Sequence, residues 1–226
     1  MGTDCPQARR SSSAAVWDVI KSSTAFLYKL VSSILDLETF MSKSIRILGI
    51  AGSLRQKSFN RGSLRAAAEL APEGVTIDLF DLDGLPGFNE DLEADPPARV
   101  VELKREIRAS DAILFSTPEY NYSIPGVLKN AIDWGSRPYG DSAWEGKPAA
   151  IMGASVGAIA TARAQYDLRK MMVFLNMFPV NRPEVMIGSA SGRFDADGNL
   201  TDETTREHIR GLVEALASWT RRLSGD

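Results

Sequence analysis

A chain of 226 residues, 44% hydrophobic and 24% charged, is long enough for one sizeable core and leaves little room for a second. Its net charge of −3 offers no basic field for nucleic acid, and no run nears the roughly 18 apolar residues that stable membrane insertion needs. With one cysteine, Cys5, and one histidine, His208, the chain cannot form an internal disulfide or a thiolate metal cluster, and triad hydrolysis has almost no material; no metal site is expected.

Residues 1–41 read differently from the rest. A polar opening with Arg9, Arg10 and Ser11 to Ser13 leads into an apolar-rich run from Ala14 to Leu37, interrupted by Asp18, Lys21, Lys29 and Asp36. Those charges suit an amphipathic helix rather than a span, and the run lacks the charge order and small-residue end of a secretory signal. Two readings stay open: a disordered or helical extension from a start codon placed too far upstream, or an amphipathic arm for a partner or a membrane surface. The folded domain is expected over residues 42–226.

From Met41 onward the pattern alternates. Ile45 to Ala51 reads as a buried strand ending at Gly52, and Asn60 to Leu70 as a helix stopped by Pro72 and Gly74. Val75 to Phe80 is the second predicted strand, Pro97 to Ala109 a helix, and Ala112 to Thr117 the third strand, ended by Pro118. Gly126 to Trp134 reads as a helix, Pro148 to Gly153 as the fourth strand and Ala160 to Asn176 as a long helix. Val185 to Ile187 is a short fifth strand; a turn at Asp195 to Asn199 precedes a closing helix from Thr201 to Leu223, which carries His208 on a solvated face. Strands alternating with helices imply right-handed crossovers and a parallel sheet covered on both faces. Five strands suit the doubly wound α/β order 2-1-3-4-5, whose ligand site lies where the winding reverses, between strands one and three. Function should therefore sit in the loops after Ala51, Thr117 and Gly153.

The first loop, Gly52 to Asn60, leaves a strand and opens a helix, whose free N–H groups and positive dipole end favour an anion. Ser53, Ser58 and Asn60 add short donors, and Arg55 adds a charge-assisted fork worth about 1.5–3 kcal/mol. Together they suggest a phosphate cradle, without the Lys-Ser/Thr of a nucleoside triphosphatase or the repeated glycines of a dinucleotide fold. The plainer reading is a helix start capped by Ser58 or Asn60. The second loop, Thr117 to Gly126, holds two tyrosines and an asparagine between prolines, a stiff wall suited to stacking on a planar ring. The third, Gly153 to Gly157, has small residues that let backbone approach a ligand, with a hydroxyl at Ser155.

Three motifs stand in order: Gly-Ser-Leu-Arg-x-x-Ser-x-Asn from Gly52; Pro-Glu-Tyr-Asn-Tyr-Ser-x-Pro-Gly-x-Leu-Lys-Asn-Ala-Ile-Asp-Trp from Pro118; and Ser155-x-Gly157 with Arg-Ala-Gln-Tyr-x-Leu-Arg from Arg163. Together they resemble the NADPH-dependent FMN reductase family, particularly its chromate- and quinone-reducing bacterial members, over about Ser44 to Leu223. The resemblance implies a flavodoxin-like sheet, bound FMN, NADPH or NADH as co-substrate and a ping-pong reaction with a small acceptor: a quinone, chromate, an azo compound or free flavin. By position, Ser53, Arg55, Ser58 and Asn60 would hold the FMN phosphate. Pro118, Glu119, Tyr120 and Asn121 would line the isoalloxazine, with Ser155 and Gly157 bordering its other side. No catalytic acid or base is implied, and Glu119 is expected to be structural. Ala160-Thr161 replaces the Gly-Gly that relatives often carry, which would reshape the acceptor pocket.

The resemblance also implies a homodimer or homotetramer built near the flavin, with Arg163, Tyr166 and Glu184 at places where relatives make contacts between subunits. The alternative for these three is an ordinary exposed or intramolecular ion pair. A cytoplasmic setting fits the single cysteine. The rival to an enzyme is a flavodoxin-like electron carrier that binds FMN without turning over NAD(P)H; such carriers are usually far more acidic than −3.

Overall fold

In the computed structural model, residues 44–225 are described, so the expectations for residues 1–41 lie outside the described residues. Four strands build the centre of one parallel sheet: β1 (Ile45–Ala51), β2 (Val75–Phe80), β3 (Ala112–Ser116) and β4 (Pro148–Ala154). Within each central strand, alternate side chains go to opposite faces, as the pleat requires. Ile45 and Ile47 of β1, Ala112 and Leu114 of β3, and Ala150 and Met152 of β4 share one core. Leu48 and Ile50, Ile113 and Phe115, and Ala149 and Ile151 share the other.

Five helices cover those faces: α1 (Phe59–Glu69), α2 (Ala98–Ala109), α3 (Gly126–Gly135), α4 (Ala162–Phe174) and α5 (Glu203–Ser224). The first face is sealed by Leu64, Ala66 and Ala67 of α1 and by Ile209, Leu212, Val213 and Leu216 of α5. The second is sealed by Leu103 and Ile107 of α2, Leu128 and Ile132 of α3, and Leu168 and Met172 of α4. The strand order is β2-β1-β3-β4 followed by the fifth position, all pairs parallel. This is the flavodoxin-like doubly wound sheet read from the sequence, and β1 and β3 flank the reversal of winding.

The fifth position differs in detail from the expectation of one strand. It is filled in line by two short strands, β5 (Phe178–Pro179) against the start of β4 and β6 (Val185–Ile187) against its end. The intervening Asn181 and Pro183 break the ladder, because proline has no N–H to donate. Helix α4 is also shorter than expected. Ala160 and Asn176, its predicted limits, both have left-handed backbone (φ +55° and +52°), which ends a right-handed helix on either side.

One packing detail shows how tight the second core is. Trp144 is fully buried across the last turn of α3 and donates its indole N–H to the Ile132 carbonyl at 3.0 Å. A Cβ added at Gly135 would lie 2.3 Å from that nitrogen. Gly135→Ala must therefore displace the indole and is expected to cost about 1–3 kcal/mol. Urea unfolding should show a lower midpoint with an unchanged slope.

Candidate functional site

The loop from Gly52 to Ser58 leaves β1 at the carboxyl edge of the sheet and is tied to β3 by a bond from Gly52 N–H to the Ser116 carbonyl at 2.8 Å. Ser58 is the N-cap of α1: its Oγ accepts from Asn60 N–H at 3.2 Å, which leaves its own hydroxyl proton to donate. Both the capped helix start and the anion cradle are therefore compatible with one geometry. Ser53 is buried with its Oγ accepting from Arg55 N–H at 3.4 Å, while Arg55 is exposed, its guanidinium 5.1 Å over the Phe59 ring. From beneath, Arg61 donates through Nε to the Ser53 carbonyl at 3.1 Å and pairs with Asp81. Burial pushes the Asp81 carboxyl up, but the bonds from Arg61 and Asp83 N–H outweigh it and hold the group below the usual carboxylate range.

Asn60 has its side-chain partners at the strand ends. Its Oδ1 accepts from Ala154 N–H at 2.9 Å and from Ser116 Oγ at 3.1 Å, and its Nδ2 donates to the Ala154 carbonyl at 3.0 Å. With both ends of the amide engaged and the residue buried, Asn60 latches α1 to the ends of β3 and β4.

The second loop turns sharply. Asn121 and Tyr122 both have positive φ (+52° and +68°), and Tyr120 and Ser123 exchange backbone bonds at 3.0 Å across the turn, as a primed hairpin turn requires. Left-handed tyrosine backbone costs on the order of 1–2 kcal/mol, a strain that accumulates where a surrounding structure holds it. That hold comes from Glu119. Its Oε2 accepts from the N–H groups of Arg163 (3.0 Å) and Ala164 (3.1 Å), capping α4, and its Oε1 takes Arg163 Nε at 2.6 Å. The Arg163 guanidinium in turn lies 3.9 Å over the Tyr122 ring. Glu119 thus caps α4, a carboxylate at the positive end of a helix dipole.

The third loop completes a cleft of about 620 Å³. Glu119, Asn121, Tyr122, Ser155, Gly157, Ala158, Ile159, Ala160 and Arg163 line it. Of the residues predicted to surround a planar ring, Glu119, Asn121, Ser155 and Gly157 meet there, while Pro118 and Tyr120 do not. Pro118 is buried beside the first loop, 3.3 Å from where a Gly52 Cβ would stand, and Tyr120 is turned to solvent. Tyr122, one of the two tyrosines of the wall-forming second loop, and Ile159, which the sequence reading did not single out, are both over 60% exposed at the cleft. Tyr122 was within the quoted motif, whereas nothing at Ile159 signals its position. The Ala160-Thr161 departure falls directly on the site: Ala160 lines the cleft, and Thr161 Oγ1 lies where a Gly153 Cβ would be, 2.3 Å away.

Residues 45–192 match the family model of NADPH-dependent FMN reductase. The chain belongs to that family. An NAD(P)H-dependent FMN reductase of Pseudomonas aeruginosa is 54% identical over 187 residues, 82% of this chain and 100% of its own. A 2-hydroxy-1,4-benzoquinone reductase of Burkholderia is 44% identical over 79% of this chain and 97% of its own. Among solved structures, the flavoenzyme NAD(P)H:(acceptor) oxidoreductase of Paracoccus denitrificans superposes with a TM-score of 0.73 at 40% identity, covering 79% of this chain and 98% of its own. The donor set of this reductase fits FMN: hydroxyls, a guanidinium and a helix N-terminus for a dianion, beside a cleft wide enough for a tricyclic ring.

The latch carries the first site prediction. Asn60→Ala strands the buried Ala154 N–H and carbonyl without their partner, at about 1–3 kcal/mol for each group left unsatisfied. We expect a drop of several degrees in thermal midpoint by calorimetry; a midpoint within one degree of wild type would show that the latch is dispensable.

Proposed function

We propose that this flavoenzyme reduces quinones and related small acceptors with NAD(P)H, holding the FMN phosphate in the loop Gly52 to Ser58 and the ring against Asn121, Ser155 and Gly157. The observation that carries the reading is adjacency: an anion cradle and an open, partly apolar cleft share the carboxyl edge of β1, β3 and β4. When bound, FMN would supply two-electron transfer from a nicotinamide to an acceptor, so the chain's own residues bind and orient rather than act as an acid or base. Ser53 and Ser58 offer hydroxyl donors to the phosphate, and Arg55 offsets its charge. Tyr122, propped by Arg163, and Ile159 flank an opening that admits one planar partner after another, which supports alternate occupancy by nicotinamide and acceptor. The same roominess favours an enzyme over a carrier whose flavin edge meets only another protein. We assign the reaction to the cytoplasm, consistent with one cysteine in the chain and with no membrane-spanning helix among the described residues.

Mixing the yellow protein with NADPH in the absence of oxygen should bleach its absorbance, and benzoquinone should restore it without a partner protein. Failure of the first step would leave the carrier reading. Arg55→Ala should weaken FMN by about 1.5–3 kcal/mol, roughly 10- to 150-fold, measured by quenching of flavin fluorescence.

We further propose a homodimer or homotetramer built through α4. Val173 and Phe174 are 82% and 71% exposed there, continuing past Tyr166 toward the cleft, which is more apolar surface than one helix face leaves uncovered. Arg163 pairs with Glu119 within its own chain, so Tyr166 and Glu184, both exposed, remain the polar candidates for that contact. Light scattering should give two or four chains, and Phe174→Glu should give one. A monomeric wild-type chain at micromolar concentration would exclude the assembly.

A further inference from the structure

We propose that the hairpin from Arg193 to Thr201, which lies beyond the family-matched residues, clamps the 52–60 loop in its phosphate-binding shape and so sets the preference for FMN over riboflavin. The proposal rests on the reading that the FMN phosphate sits in that loop.

Two backbones touch here with no side chain between them. Gly198, at φ +78°, is wedged between the loop and its helix: a Cβ on Gly62 would stand 1.9 Å from the Gly198 carbonyl oxygen, and one on Gly198 would stand 3.1 Å from the Lys57 carbonyl oxygen. Side chains then fasten the contact from both sides. Lys57 donates to the Ala196 carbonyl at 3.3 Å and to Asp197 Oδ1 at 2.9 Å, and Arg65 donates to the Gly198 carbonyl and to Asn199 Oδ1, each at 3.0 Å. The hairpin itself is knotted by Asp195, whose carboxylate accepts from the N–H groups of Asp197 (2.9 Å) and Asn199 (2.8 Å) and from Asn199 Nδ2 (3.1 Å). Its root is held by Arg193, which pairs with Asp202, the N-cap of α5.

The clamp reaches the cation that would meet a phosphate. Phe194 packs on Phe59 with ring centres 4.8 Å apart, and the same Phe59 ring carries the Arg55 guanidinium. Charge is sorted as well: Lys57 is moored to Asp197, which leaves Arg55 as the loop cation free to face an anion and balances the hairpin's acid nearest the loop. A loop of exposed residues from Leu54 to Lys57 would otherwise have to order on binding, and that ordering weakens affinity. Riboflavin lacks the phosphate, so its affinity draws little from this loop.

Gly62→Ala attacks the backbone contact and Asp195→Ala unties the exposed hairpin while leaving the core alone. Each full-length variant, dialysed against flavin-free buffer, is titrated with FMN and separately with riboflavin, alongside Arg55→Ala. We expect the dissociation constant for FMN to rise about 5- to 30-fold in both clamp variants, with riboflavin unchanged within about twofold. Equal weakening of both flavins would mean general loosening and would overturn the clamp. Unchanged FMN affinity in Asp195→Ala, with loss in Arg55→Ala, would overturn the clamp while sparing the phosphate site. Unchanged affinity in Arg55→Ala as well would remove the phosphate reading and the clamp with it.

Discussion

The site depends on one buried amide. Asn60 opens α1, yet its side chain ends among the carboxyl termini of two strands, bonded to Ser116 of β3 and to both backbone groups of Ala154 of β4. Such bonds are strong because burial removes competing water and costly to break because a stranded N–H or carbonyl stays dry. The amide thus fixes the distance between the loop after β1 and the loop after β4. The loop proposed to hold the phosphate and the cleft beside it therefore keep one spacing.

Around this fixed point the cleft holds backbone that proteins normally avoid. Asn121, Tyr122 and Ala160 all have left-handed φ, and two of them flank the Glu119–Arg163 pair. Strain of this kind persists only where neighbours over-determine it. Here the neighbours are a carboxylate seated on a helix N-terminus and a guanidinium stacked on an aromatic ring, both aligned by the start of α4. Ala160 adds a methyl group where glycine would be unstrained, so this wall of the cleft is both narrower and stiffer than a glycine pair would make it.

Much of the fold was legible because parallel strands covered on both faces read as short apolar runs between helical periods, and β1 to β4 each gave that signal. The split fifth position was not, since two residues at Phe178–Pro179 carry no periodicity. Within the site, residue type pointed to Ser58 as a cap, a role that follows from local chemistry, while the cap that Glu119 provides on α4 lies 44 residues on and was not legible. The partners of Asn60 were not legible, because they lie 56 and 94 residues away. The packing of Gly62 on Gly198 was equally invisible: glycine has no side chain to announce a neighbour, and 136 positions separate the pair.

The broken outer strand has a consequence for how copies of this protein meet. A parallel sheet ends in rows of unpaired N–H and carbonyl groups, a standing template for edge-to-edge growth into fibres. On this side the row is cut into pieces of two and three residues, with Pro179 and Pro183 each removing a donor. At this edge no foreign strand finds a continuous ladder to extend. Attraction between copies here is therefore confined to side chains, whereas β2 at the opposite edge keeps an unbroken run of six residues.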